Sequence, residues 1–400
     1  MGTMLKRVLL PNSKSNTFLF DFPKSGQIME NQNQNLVFPW DILGYVKLTD
    51  KAKDDIINLL TSSHRFKFHI AKTLNVPDYW FHNFTKNEKI DTQTFKKIVD
   101  LSAEKTLLNE IVQFNDDCGS SSITFAGKFP IIYSPLWHFI FCLSVGDGHI
   151  RKDKNKFVWY QKPEGQLKII ELLNKMGFIY DRLPQSTKHG LTIPQLIRKA
   201  GSFMTKLDSG KAIRSNIIKA SESLGKEYEL ALLCAFFMDE AGMSKAKSNS
   251  EITLHQEGNL LLLEKFGKLL TRFGISWSKN KKGDKWVIRI SSEGVIQLSR
   301  LFSLLKKYDL SLLHREEVFQ RKVKMAKTTL RKARLKDEAT AIRKHILTNF
   351  SNKTITLYQI QTCFTSNSNV SFRLRQLIRT MKKRNELQQI VLGKYSVRGK

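Results

Sequence analysis

Asp147 stands between Gly146 and Gly148 at the end of an apolar run from Leu136 to Val145. A carboxylate placed where a helix ends, with glycine letting the chain turn away, can present an acid to a divalent cation or a phosphate. A second apolar run, Leu230 to Met238, ends in Asp239, Glu240, Ala241 and Gly242. Each run thus ends in one or more acids followed by glycine. Cations follow each run and an amide follows the first: Arg151, Lys152, Gln161 and Lys162 after the first, Lys285 and Arg289 after the second. Such side chains suit phosphates and base edges. Each also has a plainer reading. Asp beside Gly is common in turns, and Gln161 with Lys162 is equally an ordinary surface pair.

The elements that must position these groups form an internal repeat. The first unit reads apolar helix, acid, glycine, a strand-like stretch ending at Phe157 to Lys162, and an amphipathic helix from Glu164 closed by Gly177. The second reads apolar helix, acids, a strand at Ile252 to Gln256, a helix within Glu257 to Ile275, and a strand at Trp286 to Ile290. Two registers are open for the second unit. With Ala241 opposite Gly148, Glu240 matches Asp147, and the spacing to Gly258 equals that from Gly148 to Gly165, 17 residues in both. With Gly242 opposite Gly148, Gly242 is the helix-ending glycine and the acid position falls on Ala241.

Residues 130–310 resemble the LAGLIDADG homing endonucleases, with two motif copies on one chain. The resemblance implies two αββαββα-like units, 130–225 and 226–312, related by a pseudo-twofold axis along their motif helices. It implies saddle-shaped sheets in the major groove of duplex DNA. It also implies Asp147 and Glu240 as catalytic carboxylates holding Mg2+, with Gly148 and Gly242 as motif glycines. Val145 replaces the family's first Asp, and its usual cleft lysine has no clear match. These departures bear on cleavage rather than on binding. A cleavage-deficient regulator of the WhiA type and an RNA-binding intron maturase are the alternative functions.

The flanks add candidate nucleic-acid modules. Residues 1–45 read as a partly ordered arm. Residues 46–115 read as an all-α domain resembling a helix-turn-helix, with Phe68 to Val76, a turn, and a helix opened by Pro77; a plain helical bundle is the alternative. Residues 313–338 read as a basic helical linker and 339–400 as a winged-helix-like domain. From residue 321 onward there are 20 Lys and Arg against three acids. Arg373, Arg375, Arg379, Lys382 and Lys383 are expected on the third helix of that domain, where cations would meet phosphates.

The formal charge of +30 points to a polyanionic partner, because Lys and Arg release counterions from phosphates on binding. Hydrophobic residues make up 41%, enough for a packed α+β core. No apolar run is long enough to span a membrane, and no export signal is evident. An intracellular, cytoplasmic or nucleoid-associated protein is expected. The four cysteines lack CxxC spacing, which argues against a zinc ribbon or a disulfide framework. The expected partner is double-stranded DNA, with RNA second, no membrane and no small-molecule substrate. The repeated core is expected to act as a monomer.

Overall fold

The computed structural model describes residues 35–42, 44–63, 67–87, 89–102, 105–115, 123–151, 156–180, 190–208, 210–243, 250–255, 260–282, 285–364 and 370–398. The fold is mixed α+β with several small antiparallel sheets. It comprises two compact units that part between Val323 and Lys324.

The N-terminal region contains β1 (Leu36–Val37), β2 (Tyr45–Leu48), α1 (Asp50–Ser63), α2 (Lys67–Leu74), α3 (Trp80–Asn87), β3 (Lys89–Asp91), α4 (Thr92–Ser102), β4 (Ile111–Asn115), β5 (Ile123–Phe125) and β6 (Ile131–Ile132). In α1, Ala52, Ile56 and Leu60 recur every four residues and are buried on one face. The Thr49 side chain accepts from Ala52 N at 3.3 Å and caps that helix. The expected helix pair is present as α2 and α3, but the region is not all-α. Val46 and Leu48 are buried, alternating with exposed Tyr45 and half-buried Lys47, so β2 forms and pairs with both β3 and β4. Nor does the region end at residue 115. Strand β5 pairs with a strand of the next region, and Leu36 and Val37 pair with Ile132 and Ile131.

The next region runs α5 (Pro135–Cys142), β7 (Gly148–Arg151), β8 (Lys156–Trp159), α6 (Pro163–Lys175), β9 (Phe178–Tyr180), β10 (Leu191–Ile193) and α7 (Gln195–Thr205). Gly177 ends α6 with φ +92°, a conformation open to glycine. Strands β10, β8 and β7 form one sheet, while β9 completes the N-terminal sheet in the order β3-β2-β4-β5-β9.

Then follow α8 (Gly210–Leu224), α9 (Lys226–Glu240), β11 (Ala241–Gly242), β12 (Ile252–His255), α10 (Leu260–Arg272), β13 (Trp277–Lys282), β14 (Lys285–Ile290) and α11 (Ser292–Leu304). The sheet order is β11-β12-β14-β13. Numbered within each unit, the strands lie 1-2-4 in the first and 1-2-4-3 in the second, so the repeat extends to topology. Helix α9 is buried continuously from Tyr228 to Asp239, as a helix enclosed on every side must be. It packs along α5. A buried polar line crosses the same core. His138 meets Tyr133 Oη at 3.1 Å and Ser221 Oγ at 2.8 Å, which satisfies both ring nitrogens. Burial holds the imidazole neutral by lowering its pKa from 6.5 to about 3.

The C-terminal region contains α12 (Glu316–Asn349), β15 (Thr354–Thr356), α13 (Leu357–Thr362), α14 (Val370–Lys383), β16 (Leu387–Val391) and β17 (Lys394–Val397). The expected linker and the helix after it are one continuous helix, because neither Gly nor Pro interrupts 316–349. Ile346, Ile355, Ile360, Met381 and Val397 form a separate fully buried core. Thr356 and Gln359 make a reciprocal capping box at α13. The sheet order is β15-β17-β16.

Candidate nucleic-acid interface and helix junction

One acid joins the turn after α5 to the C-terminal end of α9. Asp239 Oδ2 accepts from the backbone N–H of Asp147 at 3.1 Å, and Oδ1 accepts from Trp159 Nε1 at 3.1 Å. This close approach explains Gly146. A Cβ there would lie 2.4 Å from Asp239 Oδ2 and 2.6 Å from its Cβ. Gly148 is equally constrained, since a Cβ would lie 2.3 Å from Leu143 O. Its own N–H donates to that carbonyl at 2.9 Å.

The structure bears on the two registers. Asp147 is the residue immediately before β7, and Glu240 is the residue immediately before β11. Gly148 and Ala241 each open the first strand of their unit. Gly242 does not end the helix but sits inside β11, paired with Thr253. It stays bare because Thr253 Oγ1 lies 2.7 Å from where its Cβ would be.

Around Asp147 the structure gathers side chains from three segments. Gln161 Nε2 donates to Asp147 Oδ2 at 3.0 Å. Its amide orientation is set by the Lys162 N–H, which donates to Gln161 Oε1 at 3.1 Å. Arg315, in the 3-10 turn Leu313–Arg315, donates from Nη1 to Ala241 O at 2.7 Å. The neighbouring His314 lies over Gly165, where an added Cβ would come within 2.8 Å of its ring.

The electrostatics follow from this crowding. Desolvation pushes the Asp147 carboxyl above its usual range, while the Arg315 charge and the Gln161 hydrogen bond pull it down. Asp239 is raised further by burial and then by the charge of Asp147; its two donors pull the other way. His314 is lowered by burial and by Arg315. Among the described residues, no three His, Cys, Asp or Glu side chains gather as a metal-ligand set. Asp147 and Glu240 each stand immediately before a strand, Gly148–Arg151 and Ala241–Gly242.

The second sheet offers a polar face beside this junction. Ile252, Leu254, Ile288 and Ile290 point into the core. Strand alternation then puts Gly242, Thr253, His255, Ser278, Asn280 and Arg289 on the opposite face, with Thr253, Arg289 and Ser278 in register. Thr253 Oγ1 and His255 Nε2 are 2.9 Å apart, and Arg289 pairs with Glu251 at 3.3 Å. In the first sheet, His149 and Thr192 are exposed and flank Val158 in register. Lys152 and the side chains of Arg151 and Lys285 lie outside the described residues.

The C-terminal unit presents a basic surface. Arg375, Arg379 and Lys383 are exposed on α14 beside Phe372, at helical spacing. Lys382 is exposed but donates to Gln389 Oε1 at 2.6 Å. Arg373, expected among these cations, is instead 8% exposed and paired with Glu338. Its position follows the buried side of α14, next to Leu374 and Leu377.

Sequence reasoning missed Trp159, Arg315 and His314. Trp159 and Asp239 are 80 residues apart, so no local pattern links them. Arg315 opens a basic run in which nothing distinguishes it from its neighbours. Among the described residues, no helix is long and apolar enough to cross a membrane. No protein-family model, curated protein or solved structure matches the chain.

Proposed function

We propose that the chain binds specific sequences of double-stranded DNA through a LAGLIDADG-like core and a winged-helix-like C-terminal unit. The carrying observation is the helix junction. Two topologically related units meet along α5 and α9, and an acid stands immediately before the first strand of each. Polar side chains on the second sheet's open face suit base edges. The exposed α14 cations suit phosphates.

Magnesium-dependent strand cleavage is the second reading, favoured by the placement of Asp147 and Glu240. In that reading both acids would hold the metal, which would activate water and neutralise the scissile phosphate. Gln161 would orient the Asp147 carboxylate, and Asp239 would hold the Asp147 backbone.

The test is to incubate the full chain with a randomised duplex library and magnesium, recovering bound and cut fragments. One enriched motif is the expected result; no enrichment removes the proposal. Cutting at that motif, lost in Asp147→Ala with binding retained, would establish the second reading. Binding without cutting would leave a DNA-binding regulator.

A further inference from the structure

A backbone phosphate approaching the junction of α5 and α9 meets the exposed carboxylate Asp147, and like charges repel. Some cation must sit there. Arg315 already does, and it comes from outside both repeated units. Its Nη1 is anchored on Ala241 O at 2.7 Å, directly after Glu240. Among the described residues, no acid lies within ion-pair distance of its guanidinium. The adjacent acid, Glu316, is engaged elsewhere: it accepts from Leu312 N at 3.1 Å and Gln320 Nε2 at 2.7 Å. The rest of the planar fork is left for another acceptor, and that fork matches phosphate oxygens.

We propose that Arg315 is the resident cation of the helix junction and holds a DNA backbone phosphate directly, so that duplex binding does not require a divalent metal. The inference rests on the DNA-binding reading and adds a residue and a metal independence that the reading does not contain. The charge of Arg315 also acts on Asp147, in keeping with a guanidinium close to where the phosphate would lie.

The experiment measures affinity of the full chain for its selected duplex in EDTA and in magnesium, across a salt series. Wild type, Arg315→Gln and Arg315→Lys are compared, with melting temperatures recorded for all three. Wild type is expected to bind equally in both buffers. Arg315→Gln should lose about tenfold in affinity on every sequence, with a salt slope shallower by about 0.9. Arg315→Lys, which keeps the charge but not the fork, should fall between them. A merely structural role would lower the melting temperature and leave the slope unchanged, and that result overturns the proposal. So does binding by wild type that appears only with magnesium, because the metal is then the cation. Failure of wild type to bind duplex in either buffer removes the DNA-binding reading and this inference with it. Binding by wild type with an unaltered Arg315→Gln removes this inference alone.

Discussion

Gly146 and Asp239 are fitted to each other, and each can be changed separately. In Gly146→Ala the new methyl collides with the Asp239 carboxylate. Asp239 must then move and release the Asp147 N–H. The expected cost is about 1–3 kcal/mol of stability, read from urea unfolding midpoints. Asp239 also gives a pH signature. Folding raises its pKa well above the ordinary 3.8, chiefly by burial. Above 3.8 the unfolded chain has released a proton that the folded chain keeps, so this group's effect is to lower stability as pH rises through that window. His138 works in the opposite sense: folding lowers its pKa from 6.5 to about 3, so its share of stability is lost as pH falls below 6.5. Asp239→Asn removes only the first effect. The stability of wild type relative to the variant should therefore decline from about pH 4 towards pH 7. Parallel unfolding profiles across that range would show that Asp239 is ionised in the fold.

Helix α14 separates a structural arginine from surface ones. The Arg373 and Glu338 side chains are 8% and 10% exposed, so removing one strands the other. Arg373→Ala should cost about 3–5 kcal/mol. Arg375→Ala, Arg379→Ala and Lys383→Ala should leave the melting temperature unchanged, and each should lower the salt slope of DNA binding by about 0.9. Thermal melts and titrations on the same samples check both statements. A stable Arg373→Ala with weakened binding would put Arg373 back on the DNA face. Period and glycine signals made most elements legible beforehand. The second apolar helix, the Gly177 cap and the last C-terminal helix with its hairpin lie where the pattern put them, while the basic linker proved to be part of one long helix. Strands β2 to β4 were missed because each has only three to five residues inside helical surroundings. The joining of β9 to the N-terminal sheet was invisible because pairing across 57 residues leaves no local mark, as at Ile123 and Tyr180. At the site, the hydrogen bond from Gln161 to Asp147 joins two residues that motif and spacing had singled out. Asp239's bond to Asp147 and the reach of Arg315 depend on chain segments that meet only in the folded state.

Across the whole molecule, the charge of +30 is more than a compact chain needs for its own stability. Exposed cations stand on α14, and Arg315 is anchored beside the end of α9. A partner carrying closely spaced phosphates would make affinity fall steeply with salt. Six to ten phosphate contacts correspond to a loss of about 10³–10⁵ between roughly 50 and 200 mM salt. The most direct test is equilibrium binding of the full chain to its selected duplex, a scrambled duplex and a structured RNA of equal length, over that salt range. The account predicts that the selected duplex binds at least about 10³-fold tighter than the scrambled one, with the RNA no better than scrambled DNA. Equal affinity for all three, or preference for the RNA, would contradict it.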